Sequence, residues 1–229
     1  MSLTLREYYN IEGRNDRLIP EVDGAEKHRI NTVLYLLGKT EIRFSSVLDV
    51  GCGDGVLCSI YKRDWAERVT GIDISSSRIS YARDHFDKID YFEGDIYSLP
   101  FKSNSFELVS CVEVLEHIED PRKGLEELAR VSASHILVTV PYRWPVRETR
   151  CIKCGEKFFI DGHLHSFDNN WFKQVAVPGL KLVRSLRYCT NLKHKSFQIL
   201  PTFIQQFFVC SRWRKSGYLG VLFEKPGSG

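Results

Sequence analysis

One segment decides the fold class of this 229-residue chain: Val47-Leu48-Asp49-Val50-Gly51-Cys52-Gly53-Asp54-Gly55. Its first four residues are a short, mostly apolar run with β-branched ends, which is typical of a buried strand. The three glycines that follow allow a sharp turn and let the backbone approach a ligand closely. We therefore predict a strand and a glycine loop here, followed by a helix over residues 56–64.

Strands and helices continue to alternate around this segment. Helices are predicted over residues 25–37, 75–86 and 121–131, and strands over 68–72, 90–93, 106–112 and 135–140, the last ended by Pro141. Such alternation implies right-handed crossovers and a parallel sheet covered on both faces. A helix over 168–177 is followed by strands over 180–189 and 218–224, with no helical crossover between them. The prediction is an α/β, Rossmann-like three-layer sandwich with a mostly parallel seven-stranded sheet and one antiparallel edge strand.

Composition narrows the class of protein. Hydrophobic residues make up 43% of the chain, so it can build a full core, and the net charge of +3 is too small to indicate a nucleic-acid or membrane partner. No secretory pattern opens the sequence, and no apolar run approaches the roughly 20 residues of a membrane span. Seven cysteines at irregular spacing do not resemble a disulfide framework. We expect a soluble, cytoplasmic protein with reduced thiols.

An acid follows the next strand, about twenty residues after the glycine loop, at Asp73. A carboxylate there can accept hydrogen bonds from both hydroxyls of a ribose. A dinucleotide would place its pyrophosphate on the loop, yet Asp49 and Asp54 flank the loop and would repel it. Two carboxylates suit a nucleoside that carries positive charge, such as S-adenosylmethionine.

Residues 47–55 resemble the first motif of the class I S-adenosylmethionine-dependent methyltransferases. Ile72-Asp73-Ile74-Ser75 is similar to their ribose-binding motif, and Phe92-Glu93-Gly94-Asp95-Ile96 is similar to their adenine-binding segment. Residues 99–101 and 105–109 match as well, and Glu113-Val114-Leu115-Glu116-His117 looks like the tip of the fourth strand in the type 11 subgroup. These matches lie in the family's order and cover about residues 45–140.

The resemblance implies a methyltransferase that uses S-adenosyl-L-methionine. Asp95 would bind the adenine amino group and Ile96 would pack on the ring. Cys52 and Cys111 are expected to contact the cofactor through backbone atoms. The full predicted cofactor site is Asp49, Gly51, Cys52, Gly53, Gly55, Asp73, Ile74, Gly94, Asp95, Ile96 and Cys111. The chain is predicted to have four regions: an N-terminal helical cap at 1–45, the cofactor-binding core at 46–140, a Cys/His insertion over the active site at 141–170, and the C-terminal half of the sheet at 171–226, with an aromatic–basic insertion at 190–217.

His117 is the candidate catalytic residue, because it follows the fourth strand and an unperturbed histidine titrates near neutral pH. The resemblance leaves two interpretations open: a residue that acts as general base or orients the acceptor, or a packing residue at a helix start. Glu113 is expected to line the site and Glu116 to cap the following helix.

The insertion carries a second candidate site, Cys151-x-x-Cys154 followed by His163 and His165. Two cysteines at this spacing with a glycine after them are typical of zinc binding, so these four residues are predicted zinc ligands. The His-x-His spacing departs from that of finger domains, which leaves open that one histidine binds the metal while the other faces the active site. Buried packing cysteines, a redox pair and histidines that contact substrate are the alternatives.

Two further segments bear on the acceptor. Tyr8-Tyr9-Asn10 resembles segments that fold over the cofactor, and residues 190–217 mix aromatic with basic side chains. That mixture suits a capping helix, a lipid surface or single-stranded nucleic acid. We expect a small-molecule acceptor with a hydroxyl or an amine, such as a sugar or a lipid-linked metabolite. The alternatives are an RNA or protein methyltransferase, with nucleic acid not favoured, and a non-catalytic, zinc-stabilised interaction protein. No pattern indicates the oligomeric state.

Overall fold

The computed structural model describes residues 24–38, 43–175, 177–188 and 217–226. The helices are α1 (Gly24–Leu37), α2 (Val56–Asp64), α3 (Ser76–His85), α4 (Pro121–Val131) and α5 (Asn169–Gln174), with a 3-10 turn at Ile160–Gly162. The strands are β1 (Phe44–Val50), β2 (Ala66–Asp73), β3 (Asp90–Glu93), β4 (Phe106–Val112), β5 (Ser132–Tyr142), β6 (Glu148–Arg150), β7 (Lys157–Phe159), β8 (Lys181–Tyr188) and β9 (Gly217–Glu224).

The central sheet has seven strands in the order β3-β2-β1-β4-β5-β9-β8. Strands β1 to β5 pair in parallel, whereas β9 runs antiparallel to both β5 and β8. This confirms the predicted Rossmann-like fold with an antiparallel edge. Val50 at the end of β1 pairs with Ile72 of β2 and with Cys111 of β4. The parallel strands therefore end together, at what we call the carboxyl edge.

Apolar side chains alternate between the two faces of the sheet. In β4, Leu108 packs into one core cluster and Val109 into the other, and neighbouring residues of β5 alternate in the same way. Helix α4 covers one face with Leu125, Leu128 and Val131, which are all fully buried. Each such side chain contributes about 1.5–3 kcal/mol. The carboxyl edge therefore rests on a core built from both faces.

Helix α4 begins at a different cap from the one predicted. The N-cap is Asp120, whose Oδ1 accepts a 3.1 Å hydrogen bond from the amide of Lys123, so the expectation that Glu116 caps this helix is wrong. Pro121 occupies the first turn, where its missing N–H costs nothing. Glu116 lies in the loop before the helix, and its side chain is 1% exposed.

The structure differs from the sequence-based expectation at Pro141 and in the insertion, and the helix predicted over 168–177 is the shorter α5. Strand β5 runs past Pro141 to Tyr142, whereas β4 ends at Val112, which pairs with Thr139. No β4 residue lies beside Pro141, so its missing N–H breaks no hydrogen bond on that side. The insertion contains a hairpin that was not predicted, in which Glu148 pairs with Phe159 and Arg150 pairs with Lys157.

Some predictions fall outside the described residues. These are the Tyr8-Tyr9-Asn10 segment and the aromatic–basic segment at 190–217, of which the structure describes Gly217 alone. Within the described ranges, no helix is both long and apolar enough to cross a membrane.

Candidate active site

Four loops meet at the carboxyl edge of the sheet, one after each of β1, β2, β3 and β4. The amide of Gly51 donates a 2.7 Å hydrogen bond to the carbonyl of Ile72, and the amide of Gly94 donates a 2.9 Å bond to the carbonyl of Asp73. These bonds join the first three loops side by side. In open α/β sheets, this edge is where ligands bind.

The glycine loop has a backbone that other residues adopt rarely. Gly51 has φ of 74°, and a Cβ there would lie 2.2 Å from Cγ2 of Val114 in the loop after β4. Gly53 has φ of 54°, and the nearest side-chain atom to its missing Cβ is 3.4 Å away. The loop thus packs tightly on the protein at its start and leaves more space at Gly53, as a ligand lying on its backbone requires.

Asp73 is held in place by backbone amides. Its Oδ2 accepts a 2.8 Å hydrogen bond from the amide of Gly53, and its Oδ1 accepts a 2.8 Å bond from the amide of Ser75. Burial raises the pKa of the carboxyl, and the two amide bonds partly oppose that shift. A carboxylate can accept several hydrogen bonds, so each oxygen keeps capacity for a ribose hydroxyl. This geometry fits the nucleoside that the sequence predicted.

Asp49 lies deeper than its sequence position suggested. It is 2% exposed, its Oδ1 accepts a 2.5 Å hydrogen bond from the hydroxyl of Ser110, and the thiol of Cys58 lies 3.6 Å from Oδ2. Burial raises the pKa of Asp49 to about 7. Asp54, in turn, forms a 3.4 Å ion pair with Arg78. Asp49 is therefore buried beside Ser110, and Asp54 is paired with Arg78. Direct contact of Asp49 with the cofactor stays a prediction.

The remaining predicted cofactor residues surround the same edge. Asp95 accepts a 2.9 Å hydrogen bond at Oδ1 from the amide of Tyr97 and is partly exposed. Ile96 is 8% exposed and packs into the core, so only a small part of its surface could meet an adenine ring. Ile74 is half-buried, and the buried Cys52 and Cys111 stand at the ends of β1 and β4. Gly55 is the N-cap of α2.

Glu113 makes the turn at the end of β4 in a left-handed conformation, with φ of 57°. Its amide donates a 3.0 Å hydrogen bond to the carbonyl of Thr139, and its Oε1 accepts a 2.7 Å bond from the hydroxyl of the same residue. Two bonds to β5 therefore stabilise a backbone conformation that is costly for a residue with a Cβ. The turn directs the chain toward Glu116 and His117.

His117 lies at the carboxyl edge, with 18% of its side chain exposed. Its Nδ1 is 3.2 Å from the carbonyl of Gly162 in the insertion. Burial first, and the nearby His163 second, lower the pKa of His117 to about 4. An unperturbed histidine titrates near neutral pH, whereas burial disfavours protonation of this ring well below that pH.

The insertion docks onto the loop after β4. The amide of Leu164 donates a 2.7 Å hydrogen bond to the carbonyl of Glu116, and Nε2 of His165 lies 2.9 Å from the carbonyl of Ile118. The rings of His117 and His163 meet edge to face, with centroids 4.9 Å apart. Residues 162–165 are therefore fixed beside the candidate catalytic histidine.

The two cysteines lie in the loop of the β6–β7 hairpin. Cys154 is exposed and Cys151 partly so, and hydrogen bonds from backbone amides, that of Cys154 first, lower the pKa of the Cys151 thiol. In the described part of the chain, one group of three candidate ligand atoms lies within 4.8 Å: Glu116, His117 and His163. Cys151 and Cys154 are not in it, so the structure does not gather the four predicted zinc ligands. Zinc binding at these four residues stays a prediction.

Sequence reasoning missed Ser110 and Gly162, and it gave Glu116 a different role. Ser110 is buried on β4 and binds Asp49, while Gly162 fixes the ring of His117 through its carbonyl. The side chain of Glu116 lies close to those of His117 and His163 only in the folded chain. No sequence spacing indicates this, because His163 is remote along the chain. Only the Glu116-His117 pair could have been noticed, as two ligand types side by side.

Comparison with known proteins agrees with this geometry. A family model described as a methyltransferase domain, of type 11, matches residues 48–135. A ubiquinone biosynthesis O-methyltransferase of Coxiella burnetii is 35% identical over 201 residues, which is 85% of this chain and 73% of that protein.

Two solved structures share the fold. One is a methyltransferase in complex with the Haloferax volcanii Trm112 methyltransferase activator, with a TM-score of 0.68, 18% identity, and coverage of 99% of this chain and 100% of that chain. The other is the N-methyltransferase NodS from Bradyrhizobium japonicum in complex with S-adenosyl-L-homocysteine, with a TM-score of 0.63, 18% identity, and coverage of 96% and 98%. The family match, the Coxiella relative and the Asp73 geometry lead to one conclusion: the chain belongs to the class I S-adenosylmethionine-dependent methyltransferases of the type 11 family.

Proposed function

We propose that this methyltransferase acts on a hydroxyl group of a small-molecule acceptor. The observation that carries the proposal is the relative named an O-methyltransferase, whose similarity extends over most of this chain and beyond the cofactor-binding motifs. Because the similarity includes the region after β5, where the insertion docks beside His117, it bears on the acceptor side as well as on the cofactor side.

The surroundings of His117 suit a small organic acceptor. The ring of Trp144 lies 6.1 Å from that of His163, which in turn meets His117. These three side chains are partly buried and together present ring surface. Aromatic surfaces of this kind bind flat or apolar molecules well.

The chain's own contribution to the chemistry is orientation and proton acceptance. When bound, S-adenosylmethionine supplies an electrophilic methyl group on a good leaving group. The loops after β1, β2 and β3 would hold it, and the loop after β4 would place the acceptor oxygen behind the methyl group. His117 carries its proton on Nδ1, because that atom bonds a carbonyl oxygen, so Nε2 is the atom that can accept a hydroxyl proton.

The test is a transfer assay with methyl-labelled S-adenosylmethionine and matched acceptors. A set of phenols and alcohols is compared with the amines of the same skeletons, with total RNA and with a protein extract as further acceptors. We expect label on the hydroxyl compounds, and mass spectrometry should identify the products as methyl ethers. Label on the amines alone, on RNA or on protein would reject the proposal, and cofactor binding without transfer to any acceptor would favour a non-catalytic role.

A further inference from the structure

We propose that Glu116, His117 and His163 bind one divalent transition-metal cation of the zinc class. Their candidate ligand atoms all lie within 4.8 Å of one another, in the loop after β4 and in the docked insertion. This site is separate from the predicted cysteine ligands and does not depend on which acceptor the enzyme methylates. While an ion is bound, Nε2 of His117 is a metal ligand and does not accept a proton, so metal binding and general-base action by His117 exclude each other.

The ligand set suits such an ion. Two imidazoles and one carboxylate are a recurrent three-residue set for zinc, with a further position left to water or to another oxygen ligand. Two ligands about 2.1 Å from a tetrahedral ion are about 3.4 Å apart. Nε2 of His117 and Oε1 of Glu116 are 3.8 Å apart, so a small rotation of either side chain brings them to that separation.

A neighbouring backbone group orients the ring of His117. Its Nδ1–H donates to the carbonyl of Gly162, at 3.2 Å. The lone pair is then on Nε2, the atom that lies toward Glu116. Metal-binding histidines usually donate their other ring N–H in this way, since the bond fixes both the tautomer and the ring direction.

Within the described part of the chain, the ring of His163 has an unsatisfied nitrogen, which supports the metal site independently of the ligand distances. Its Nδ1 is buried and has no hydrogen-bond partner among the residues that the structure describes. Leaving a buried polar nitrogen unsatisfied costs roughly 1–3 kcal/mol, and coordination of a cation by its lone pair would remove that cost. Glu116 is 1% exposed, so an ion held by these residues would be shielded from solvent on the carboxylate side.

The ion would join two distant parts of the chain. Glu116 and His117 belong to the sheet's carboxyl edge, whereas His163 belongs to the insertion, and the bond from the amide of Leu164 to the carbonyl of Glu116 already fastens the two together. A cation adds a stronger tie at the same place. Metal binding should therefore stabilise the docked position of residues 162–165.

The test uses the full chain, treated with a chelator, dialysed and titrated with Zn²⁺ and with Co²⁺. Bound metal is measured by equilibrium dialysis with elemental analysis, Co²⁺ ligands are identified by visible and near-ultraviolet absorption, and stability is followed by thermal unfolding. The variants are His163→Ala and Glu116→Gln. The matched control is the double variant Cys151→Ser/Cys154→Ser, and binding of S-adenosyl-L-homocysteine checks that every variant is folded.

We expect one equivalent of metal, a Co²⁺ spectrum without thiolate bands, and a higher unfolding temperature with metal. His163→Ala should weaken metal binding at least about tenfold while the cysteine control keeps wild-type affinity, since one lost ligand removes a substantial part of the binding energy. Because Glu116 is buried, Glu116→Gln could misfold. His163 is only half-buried, so His163→Ala should fold and is the decisive variant. Absence of a bound equivalent, full retention in His163→Ala, or loss in the cysteine control with thiolate bands would each overturn the proposal.

Discussion

The backbone amide of Gly53 donates a 2.8 Å hydrogen bond to Oδ2 of Asp73. The bond joins the glycine loop after β1 to the end of β2, and the amide of Ser75 holds the other carboxylate oxygen. The acid is therefore oriented before any ligand binds, which reduces the entropy that binding must overcome. The loop and the acid therefore form one connected unit of the predicted cofactor site.

Asp73→Asn should weaken binding of S-adenosyl-L-homocysteine by about tenfold to a hundredfold, because hydrogen bonds to a charged group contribute roughly 1.5–3 kcal/mol. Isothermal titration calorimetry measures the change. Asp90→Asn is the matched control, since Asp90 is an exposed acid at the opposite end of β3. Equal affinities for wild type and Asp73→Asn would contradict the ribose-binding role.

Gly51→Ala should lower the free energy of unfolding by about 2–4 kcal/mol. The positive φ disfavours alanine, and the new methyl group would lie 2.2 Å from Val114. Urea unfolding measures the effect. The double variant Gly51→Ala/Val114→Ala, compared with Val114→Ala alone, should recover the steric part and keep the backbone part. An unchanged midpoint for Gly51→Ala would show that the loop has another conformation.

Local patterns predicted the sheet and the cofactor loops well. The run before Gly51, the spacing to Asp73 and the alternation of elements are short-range features, and β1, β2, β3 and β4 form where they indicated. The environments of the acids were not predictable in this way. Burial raises the pKa of Asp49 to about 7, and its hydrogen bond with Ser110, which partly opposes that shift, links residues on different strands.

His117→Asn should reduce turnover by about tenfold or more and leave the affinity for S-adenosyl-L-homocysteine within about twofold, since the ring belongs to the loop after β4 whereas Asp73 ends β2. Steady-state kinetics with a hydroxyl acceptor and calorimetry separate the two effects. His85→Asn, an exposed histidine stacked on Tyr81 in α3, is the control. Wild-type turnover in His117→Asn would reduce His117 to a packing residue.

Asp49 should make stability depend on pH. Its pKa rises from 3.8 to about 7 on folding, so between these values the folded chain holds a proton that the unfolded chain has released. The free energy of unfolding therefore falls as pH rises through this range, by up to about 4 kcal/mol from this group. Asp49→Asn should gain stability relative to wild type between about pH 4.5 and about pH 8.

Urea unfolding of both proteins at several pH values, without cofactor, tests this expectation. Asp90→Asn should show no such relative gain, because Asp90 is exposed on β3. Parallel pH profiles for wild type and Asp49→Asn would mean that the carboxyl is not protonated in the folded state.

The insertion shows where sequence spacing misleads. The cysteine pair suggested that the nearby histidines complete one zinc site, but His163 lies against His117 and His165 binds backbone carbonyls of residues 118 and 119. The unpredicted β6–β7 hairpin places the cysteines in its own loop. Which ligands meet depends on how residues 162–165 dock on the loop after β4, and these contacts join residues that are far apart in the sequence.

A crystal structure of the complex with S-adenosyl-L-homocysteine would show whether the loops at the carboxyl edge bind the cofactor. We expect both ribose hydroxyls within hydrogen-bond distance of the Asp73 carboxylate, the amino-acid end along the glycine loop, and the sulfur directed toward the side of the site that holds His117. A nucleoside bound away from the carboxyl edge, or one whose ribose does not contact Asp73, would contradict this expectation.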